Sequence, residues 1–143
     1  LGALVGLLTP AKSNNFSALA VLDAPFDFET LVKEELIYQD FTELLWMPLY
    51  HYVLIFEGVN LLADNPEDSL KASNNQPILI FNGMNNDRVL SHHTDDLIES
   101  ANSIGIEIEV NRYKELGHTR VLYDYPEEFA EKLIKFFTKN LSQ

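Results

Sequence analysis

The chain lacks cysteine altogether, which excludes disulfide bonds, a thiolate zinc site and a cysteine nucleophile. It has no apolar run of the roughly 18 residues that a membrane-spanning helix requires. Basic residues are few, with 10 lysines and arginines against 22 acidic residues, so the formal net charge is −12. A field of this sign repels phosphate backbones and anionic membrane surfaces, and the sequence has no glycine-rich phosphate loop. Nucleic acid and anionic membranes are therefore poor candidates for partners, while the cellular compartment stays open.

The sequence does contain a regular alternation of short apolar runs and amphipathic stretches. Its 143 residues are 46% hydrophobic, which is enough for one domain with a core. The apolar runs predict strands at 17–23, 77–81 and 106–110. The amphipathic stretches predict helices at 1–8, at 91–103 with Gly105 as the cap, and from Pro126 onward. Residues 28–73 predict a helical insertion between the first two strands, with Asp27 and Asp40 as caps and Pro48 and Pro66 at helix starts.

This order of elements predicts an α/β fold with parallel strands and flanking helices. Strands joined through helices run parallel by right-handed crossovers, and we expect them in chain order. The third strand, 106–110, alternates isoleucine or valine with glutamate, which is typical of a half-exposed strand at a sheet edge. The first two strands are nearly continuous apolar runs, and three strands cannot cover that much apolar surface alone. Because the chain also opens on LGALVGLL without a helix cap, we expect it to be part of a longer polypeptide.

Side chains of the types used in nucleophilic catalysis follow two of the predicted strands. Asp87 follows the strand at 77–81, and His118 follows the strand at 106–110 within the dipeptide Gly117-His118. The carboxyl ends of parallel strands meet at one edge of a sheet, where α/β proteins bind ligands. A carboxylate that orients an imidazole, which in turn relays a proton, forms two thirds of a nucleophilic triad. The third member, a serine on a sharp turn between strand and helix, is missing from the sequence.

The order and spacing of these segments resemble the carboxyl-terminal half of the α/β-hydrolases. The resemblance rests on PILIF with 83–89 after it, on Gly117-His118 after IEIEVNRYKE, on the helix YPEEFAEKLIKFF and on the strand ALAVLDAPFDF. The opening Leu1-Gly2-Ala3 is similar to the end of the family's Gly-x-Ser-x-Gly elbow. The resemblance implies a nucleophilic serine immediately before Leu1, a backbone N–H of Leu1 in the oxyanion hole, and residues 28–73 as a helical lid.

The same resemblance leaves the acid of the triad open between neighbouring residues. The family's carboxylate usually stands three residues after the strand-end glycine, which here is Asn86, whereas Asp87 lies one position further. An amide cannot stabilise an imidazolium as a carboxylate does, so we assign Asp87, with one inserted loop residue. The alternatives are Asp23 and, less favoured, Asp27, which follow the preceding strand.

Further polar and aromatic residues have competing interpretations. Trp46, Met47 and Tyr50 are assigned to an apolar acyl or aryl pocket under the lid, the alternative being ordinary core packing. The pair His92-His93 is interpreted as an exposed helix start, so no metal is predicted.

The function predicted from the sequence is a serine hydrolase that cleaves esters, or less readily amides, through an acyl-enzyme and without a cofactor. Its partners would be a small ester or amide substrate and the missing amino-terminal portion of the same protein. The chain alone would be inactive, because it lacks the serine. The alternatives are a non-catalytic α/β-hydrolase homologue that serves as a binding module, and an unrelated flavodoxin-like domain.

Overall fold

A computed structural model describes residues 2–9, 12–13, 16–64, 66–72 and 76–141 of the chain. Its regular elements are α1 (Gly2–Leu8), β1 (Leu19–Leu22), α2 (Phe28–Tyr38), a 3₁₀ turn (Glu43–Leu45), α3 (Trp46–Tyr52), a π-helical turn (Val53–Glu57), α4 (Pro66–Ala72), β2 (Ile78–Gly83), α5 (His92–Ser103), β3 (Ile108–Tyr113), α6 (Val121–Asp124) and α7 (Pro126–Leu141). None of the helices in these ranges has the length and hydropathy to span a membrane. The α/β organisation predicted from the sequence is confirmed.

The three strands form one parallel sheet in the order β1-β2-β3. Val21 pairs with Ile80, and Ile80 pairs with Val110, so strands that are consecutive in the sequence are adjacent in the sheet. Every residue of β2 is buried, whereas β3 alternates between half-buried and exposed positions. The predicted order, direction and edge position of the third strand are therefore confirmed within the described part of the chain.

Helices cover the central strand on both of its faces. Ile78 and Ile80 point to one side, where residues of α1, α4 and α5 pack against them, and Leu79 and Phe81 point to the other, where α7 packs. This alternation follows from the two-residue period of a strand, and it explains why β2 is apolar throughout. The remaining buried members of the two clusters are Leu7, Val21, Ala24, Leu70, Leu97, Ala101 and Ile106 on the first face, and Leu116, Val121 and Phe136 on the second.

Local capping accounts for two differences from the predicted boundaries. The third strand begins at Ile108 rather than at Ile106, because Ile106 donates its N–H to the carbonyl of Ala101 in the motif that ends α5 around Gly105 (φ 79°). Asp40 does not cap a helix: its own backbone is left-handed (φ 61°), and Thr42 caps the following turn instead. The predicted cap at Asp27 is confirmed, since its side chain accepts from the N–H of Thr30.

The insertion at 28–73 is helical, as predicted, but not all of its helices lie outside the core of the fold. Its second helix begins at Trp46, two residues before Pro48, and the helical backbone ends at Gly58 (φ 66°), short of the predicted end. Its last helix, α4, places Leu70 in the core beside the sheet. The helix α4 is therefore part of the core of the fold.

Candidate active site

The carboxylate that meets the strand ends is that of Asp23, at the end of β1. Its Oδ1 accepts the N–H of Gly83 at 2.9 Å, and its Oδ2 accepts the N–H of Thr119 at 2.7 Å. The side-chain amide of Asn82 lies 3.4 Å from Oδ1. Only 2% of Asp23 is exposed, and its backbone is left-handed (φ 46°). These N–H donors satisfy a buried carboxylate that, among the described residues, has no lysine or arginine paired with it. They connect the end of β1 with the end of β2 and with the loop after β3.

His118 lies next to this carboxylate, in the loop that follows β3. Its Nδ1 is 3.9 Å from Oδ2 of Asp23 and 3.0 Å from Nδ2 of Asn86. The side chain of His118 is 40% exposed, so one edge of the ring is accessible to a ligand while the other faces the loop. An imidazole in this setting can exchange protons with a bound molecule and has a carboxylate nearby to stabilise its charged form.

Gly83 allows the His118 loop to approach the end of β2. A Cβ atom at this position would lie 2.6 Å from the carbonyl oxygens of both Leu116 and Gly117. The contact is reinforced by the N–H of Asn85, which donates to the carbonyl of Leu116 at 3.0 Å. The glycine that ends PILIFNG is therefore required by space and not by its φ angle.

The expected contact between Asp87 and His118 is not formed. Asp87 is exposed, and among the described residues Asn86 and Asp23, not Asp87, lie within 4 Å of the imidazole nitrogens. Asn86 thus occupies the position that strict spacing indicated, and Asp23 is the nearest carboxylate. Asp27 is engaged as the cap of α2. The assignment of Asp87 as the partner of His118 is corrected on this geometry.

A cavity of about 500 Å³ opens beside the exposed edge of His118. Its walls come from the loop after β1, from α2, and from the loop after β2: Pro25, Leu31, Val32, Glu35, Arg88, Val89 and His118. Arg88 forms a bidentate ion pair with Glu35, at 3.0 and 2.9 Å, across the rim. Most of the wall is apolar and its two charges neutralise each other, so the cavity suits an uncharged, largely apolar group.

The residues Trp46, Met47 and Tyr50, assigned to a substrate pocket, lie elsewhere. Trp46 is 1% exposed and packs between Phe28 and Tyr50, with ring centroids 6.2 and 5.7 Å away. Met47 is 54% exposed on the outer surface of α3. None of these residues lines the cavity beside His118. Ordinary packing, the alternative left open by the sequence, describes Trp46. Leu1, assigned to the oxyanion hole, lies outside the described residues.

One group in the described ranges has the composition of a metal site: Glu34, His92 and His93. The N–H of Phe26 donates to Nδ1 of His93 at 3.3 Å, so in the neutral ring Nε2 carries the proton and donates to Glu34 at 3.1 Å. A protonated nitrogen offers no lone pair to a metal ion. We therefore interpret the group as a hydrogen-bonded link between α2 and α5.

This link predicts a pH dependence of stability. Burial lowers the pKa of His93 from its ordinary 6.5, although the Glu34 carboxylate acts in the opposite direction. The unfolded chain then binds a proton more readily than the folded chain. Stability is fully present above pH 6.5 and decreases as the pH falls below it. We therefore expect the free energy of unfolding to decrease as the pH falls from 7 to 5.

The measurement is urea unfolding across that pH range for the wild type, His93→Gln and the control His51→Gln. His51 is exposed and bonds only within its own helix, to the carbonyl of Met47. His93→Gln should flatten the slope of stability against pH, and His51→Gln should keep it. Equal slopes for His93→Gln and the wild type would contradict the interpretation.

Comparison with solved structures identifies the fold. The chain is similar to esterase Pf2001 from Pyrococcus furiosus, with a TM-score of 0.69 and 15% identity over 96% of this chain and 49% of that one. It is similar to an acylaminoacyl peptidase from Pyrococcus horikoshii, with a TM-score of 0.69 and 15% identity over 98% of this chain and 23% of that one. It is also similar to an α/β-hydrolase from the metagenome of Mar Chica lagoon sediments in Morocco, with a TM-score of 0.58 and 18% identity over 97% and 58% of the two chains.

These similarities show that the chain has the fold of part of an α/β-hydrolase. It spans about half the length of the esterase, 49% of that chain. No family model matches the sequence, and no curated protein matches it either.

Proposed function

We propose that the chain is part of a serine hydrolase that cleaves esters through an acyl-enzyme. His118 would act as general base and then as general acid, and Asp23 would be the carboxylate that stabilises its protonated form. The observation that carries the proposal is the distance of 3.9 Å between Nδ1 of His118 and the buried Oδ2 of Asp23, beside a cavity. The fold that this chain shares with an esterase and a peptidase supports it as well.

The chemistry requires a hydroxyl nucleophile, for which we propose a serine in the polypeptide before Leu1. Nε2 of His118 would take the proton of that hydroxyl while its oxygen attacks the ester carbonyl. The resulting imidazolium would return its proton to the departing alcohol oxygen, which leaves the acyl group on the serine. Water would then be activated in the same way and release the acid. Asp23 lowers the energy of the imidazolium in both steps.

The cavity indicates which esters fit. Its wall is formed mainly by Pro25, Leu31, Val32 and Val89, and the charges of Glu35 and Arg88 are paired with each other. The chain carries a net charge of −12, which disfavours the approach of anionic substrates. We therefore propose an uncharged ester with an apolar acyl or alcohol group.

A second candidate function is that of a non-catalytic binding module with the same cavity. The observation that favours it is the amide of Asn86, which stands 3.0 Å from Nδ1 of His118 where a hydrolase needs a carboxylate. The two functions differ in whether a serine of the longer polypeptide becomes covalently modified by an ester-like electrophile.

A fluorophosphonate probe separates them. None of the eight serines of this chain stands in a Gly-x-Ser-x-Gly turn, so the chain alone should stay unlabelled. The polypeptide that includes the residues before Leu1 should be labelled at one serine there. His118→Ala should slow that labelling by about 10³-fold or more, and the control His51→Ala should not. Labelling of a serine within this chain would refute the proposal, and an unreactive longer polypeptide would favour the binding module.

A further inference from the structure

The side-chain amide of Asn86 has one defined orientation. Its Oδ1 accepts two backbone N–H groups, those of Arg88 and Val89, both at 3.0 Å. Turning the amide over would direct its NH₂ group at these two donors and leave both N–H groups without an acceptor, which is unfavourable. The loop backbone therefore holds Nδ2 of Asn86 toward His118.

This orientation determines which nitrogen of His118 carries the proton. Nδ2 of Asn86 can only donate, and it lies 3.0 Å from Nδ1 of the ring. A neutral imidazole has one donor and one acceptor nitrogen, so Nδ1 accepts and Nε2 is protonated. A histidine that deprotonates a hydroxyl through Nε2 needs the opposite arrangement, with the proton on Nδ1 and directed at a carboxylate.

We propose that Asn86 is a positioning residue that holds His118 in the Nε2–H form and thereby lowers its activity as a base. This inference rests on the proposed function. Asp23 competes for the same nitrogen from 3.9 Å, with Oδ2 already bonded to the N–H of Thr119. In the productive form the proton moves to Nδ1, which turns toward Asp23 and gives up the bond from Asn86. The wild-type protein is thus a slow hydrolase whose histidine must change tautomer before each turnover.

The substitution that tests this is Asn86→Asp, which has nearly the same shape. One carboxylate oxygen would still accept the hydrogen bonds from the N–H groups of Arg88 and Val89. The other would take the place of Nδ2 and accept a hydrogen bond from Nδ1–H of His118. The ring would then carry its proton on Nδ1 and present Nε2 as the acceptor. Hydrolysis should rise at least about tenfold, since each 1.4 kcal/mol of tautomer preference corresponds to a factor of ten.

The matched control is Asn85→Asp, which adds the same charge to the adjacent, exposed position. The first readout is the ¹⁵N–¹H correlation spectrum of the His118 ring in the longer polypeptide, which reports the tautomer without any turnover. We expect Nε2–H in the wild type and in Asn85→Asp, and Nδ1–H in Asn86→Asp. A wild-type ring protonated on Nδ1, or an unchanged ring in Asn86→Asp, would overturn the proposal.

The second readout is ester hydrolysis by the longer polypeptide. A rise in Asn86→Asp alone supports the proposal, and a tautomer change without such a rise in an active protein would overturn the role of Asn86 in lowering activity. If wild type and variant are both inactive and unlabelled by the fluorophosphonate, the proposed function fails, while the spectrum still decides the tautomer by itself.

Discussion

Asp23→Asn is expected to lower kcat for ester hydrolysis by the longer polypeptide by about 10⁴-fold, because an amide can neither stabilise the imidazolium nor favour its Nδ1–H form. Asp23 is the carboxylate nearest to His118 among the described residues, and it is 2% exposed, so solvent screens its charge little. Asp87→Asn should change kcat by no more than about twofold, since an exposed side chain without contact to the ring alters the free energy by about 0.5 kcal/mol or less.

Asp23 also accepts backbone hydrogen bonds, so Asp23→Asn could lower kcat by destabilising the fold as well as by removing the charge beside His118. The measurement has to separate these two effects. An asparagine can retain one of the bonds from Gly83 and Thr119 through its single carbonyl oxygen. Thermal unfolding of both variants establishes how much of each is folded at the assay temperature, and kcat is compared between folded populations. A large loss in Asp87→Asn together with near-normal turnover in Asp23→Asn would return the role of the acid to Asp87.

Gly83→Ala is the second substitution with a large expected effect. Its Cβ would overlap two carbonyl oxygens at 2.6 Å, and because these are backbone atoms the loop that carries His118 must move. We expect a loss of about 1–3 kcal/mol in the free energy of unfolding, as for other overpacked sites. A displacement of His118 by about 1 Å would lower kcat roughly 10²-fold on its own.

Gly117→Ala is the matched control, although Gly117 directly precedes the histidine. A Cβ there would meet its nearest neighbour, the carbonyl oxygen of Asn85, at an ordinary 3.6 Å. The expected change in stability is within about 0.5 kcal/mol. Denaturant unfolding and ester hydrolysis measure both variants. Equal losses for Gly83→Ala and Gly117→Ala would show that the close approach at Gly83 is not what places the loop.

The sheet could be predicted from the sequence because its signals are local. The apolar run that ends at Phe81 is flanked by Pro77 and Gly83, and the helix after it ends at Gly105, so both crossovers can be recognised in the chain. Parallel direction and neighbour order then follow from the handedness of the connections. The strand boundary at Ile106 was missed because a helix-ending motif uses that residue, which hydrophobic alternation alone does not reveal.

The partner of His118 could not be predicted, because it depends on how three loops meet at the sheet edge. Spacing within the loop after β2 favours Asn86, and the need for a carboxylate favours Asp87. The residue that contacts His118 is Asn86. Asp23 is one of the alternatives, and its backbone is left-handed with a φ of 46°, which asparagine and aspartate tolerate better than most residues. A local backbone angle of this kind is not visible in hydrophobic patterning. Helical spacing likewise could not tell that Trp46 faces Phe28 and not the cavity.

The hydrogen bonds of Asp23 connect parts of the chain that are far apart in sequence. One spans 60 residues to Gly83, and the other spans 96 residues to Thr119. Contacts of such separation form only after long loops have closed, which is the slow and entropically costly part of folding. We therefore expect the histidine and its carboxylate to come together only when the sheet has formed, and helices alone would not assemble the site. If the proposed function holds, turnover would report complete folding, and cleavage of the chain anywhere between 23 and 119 would separate the two groups covalently.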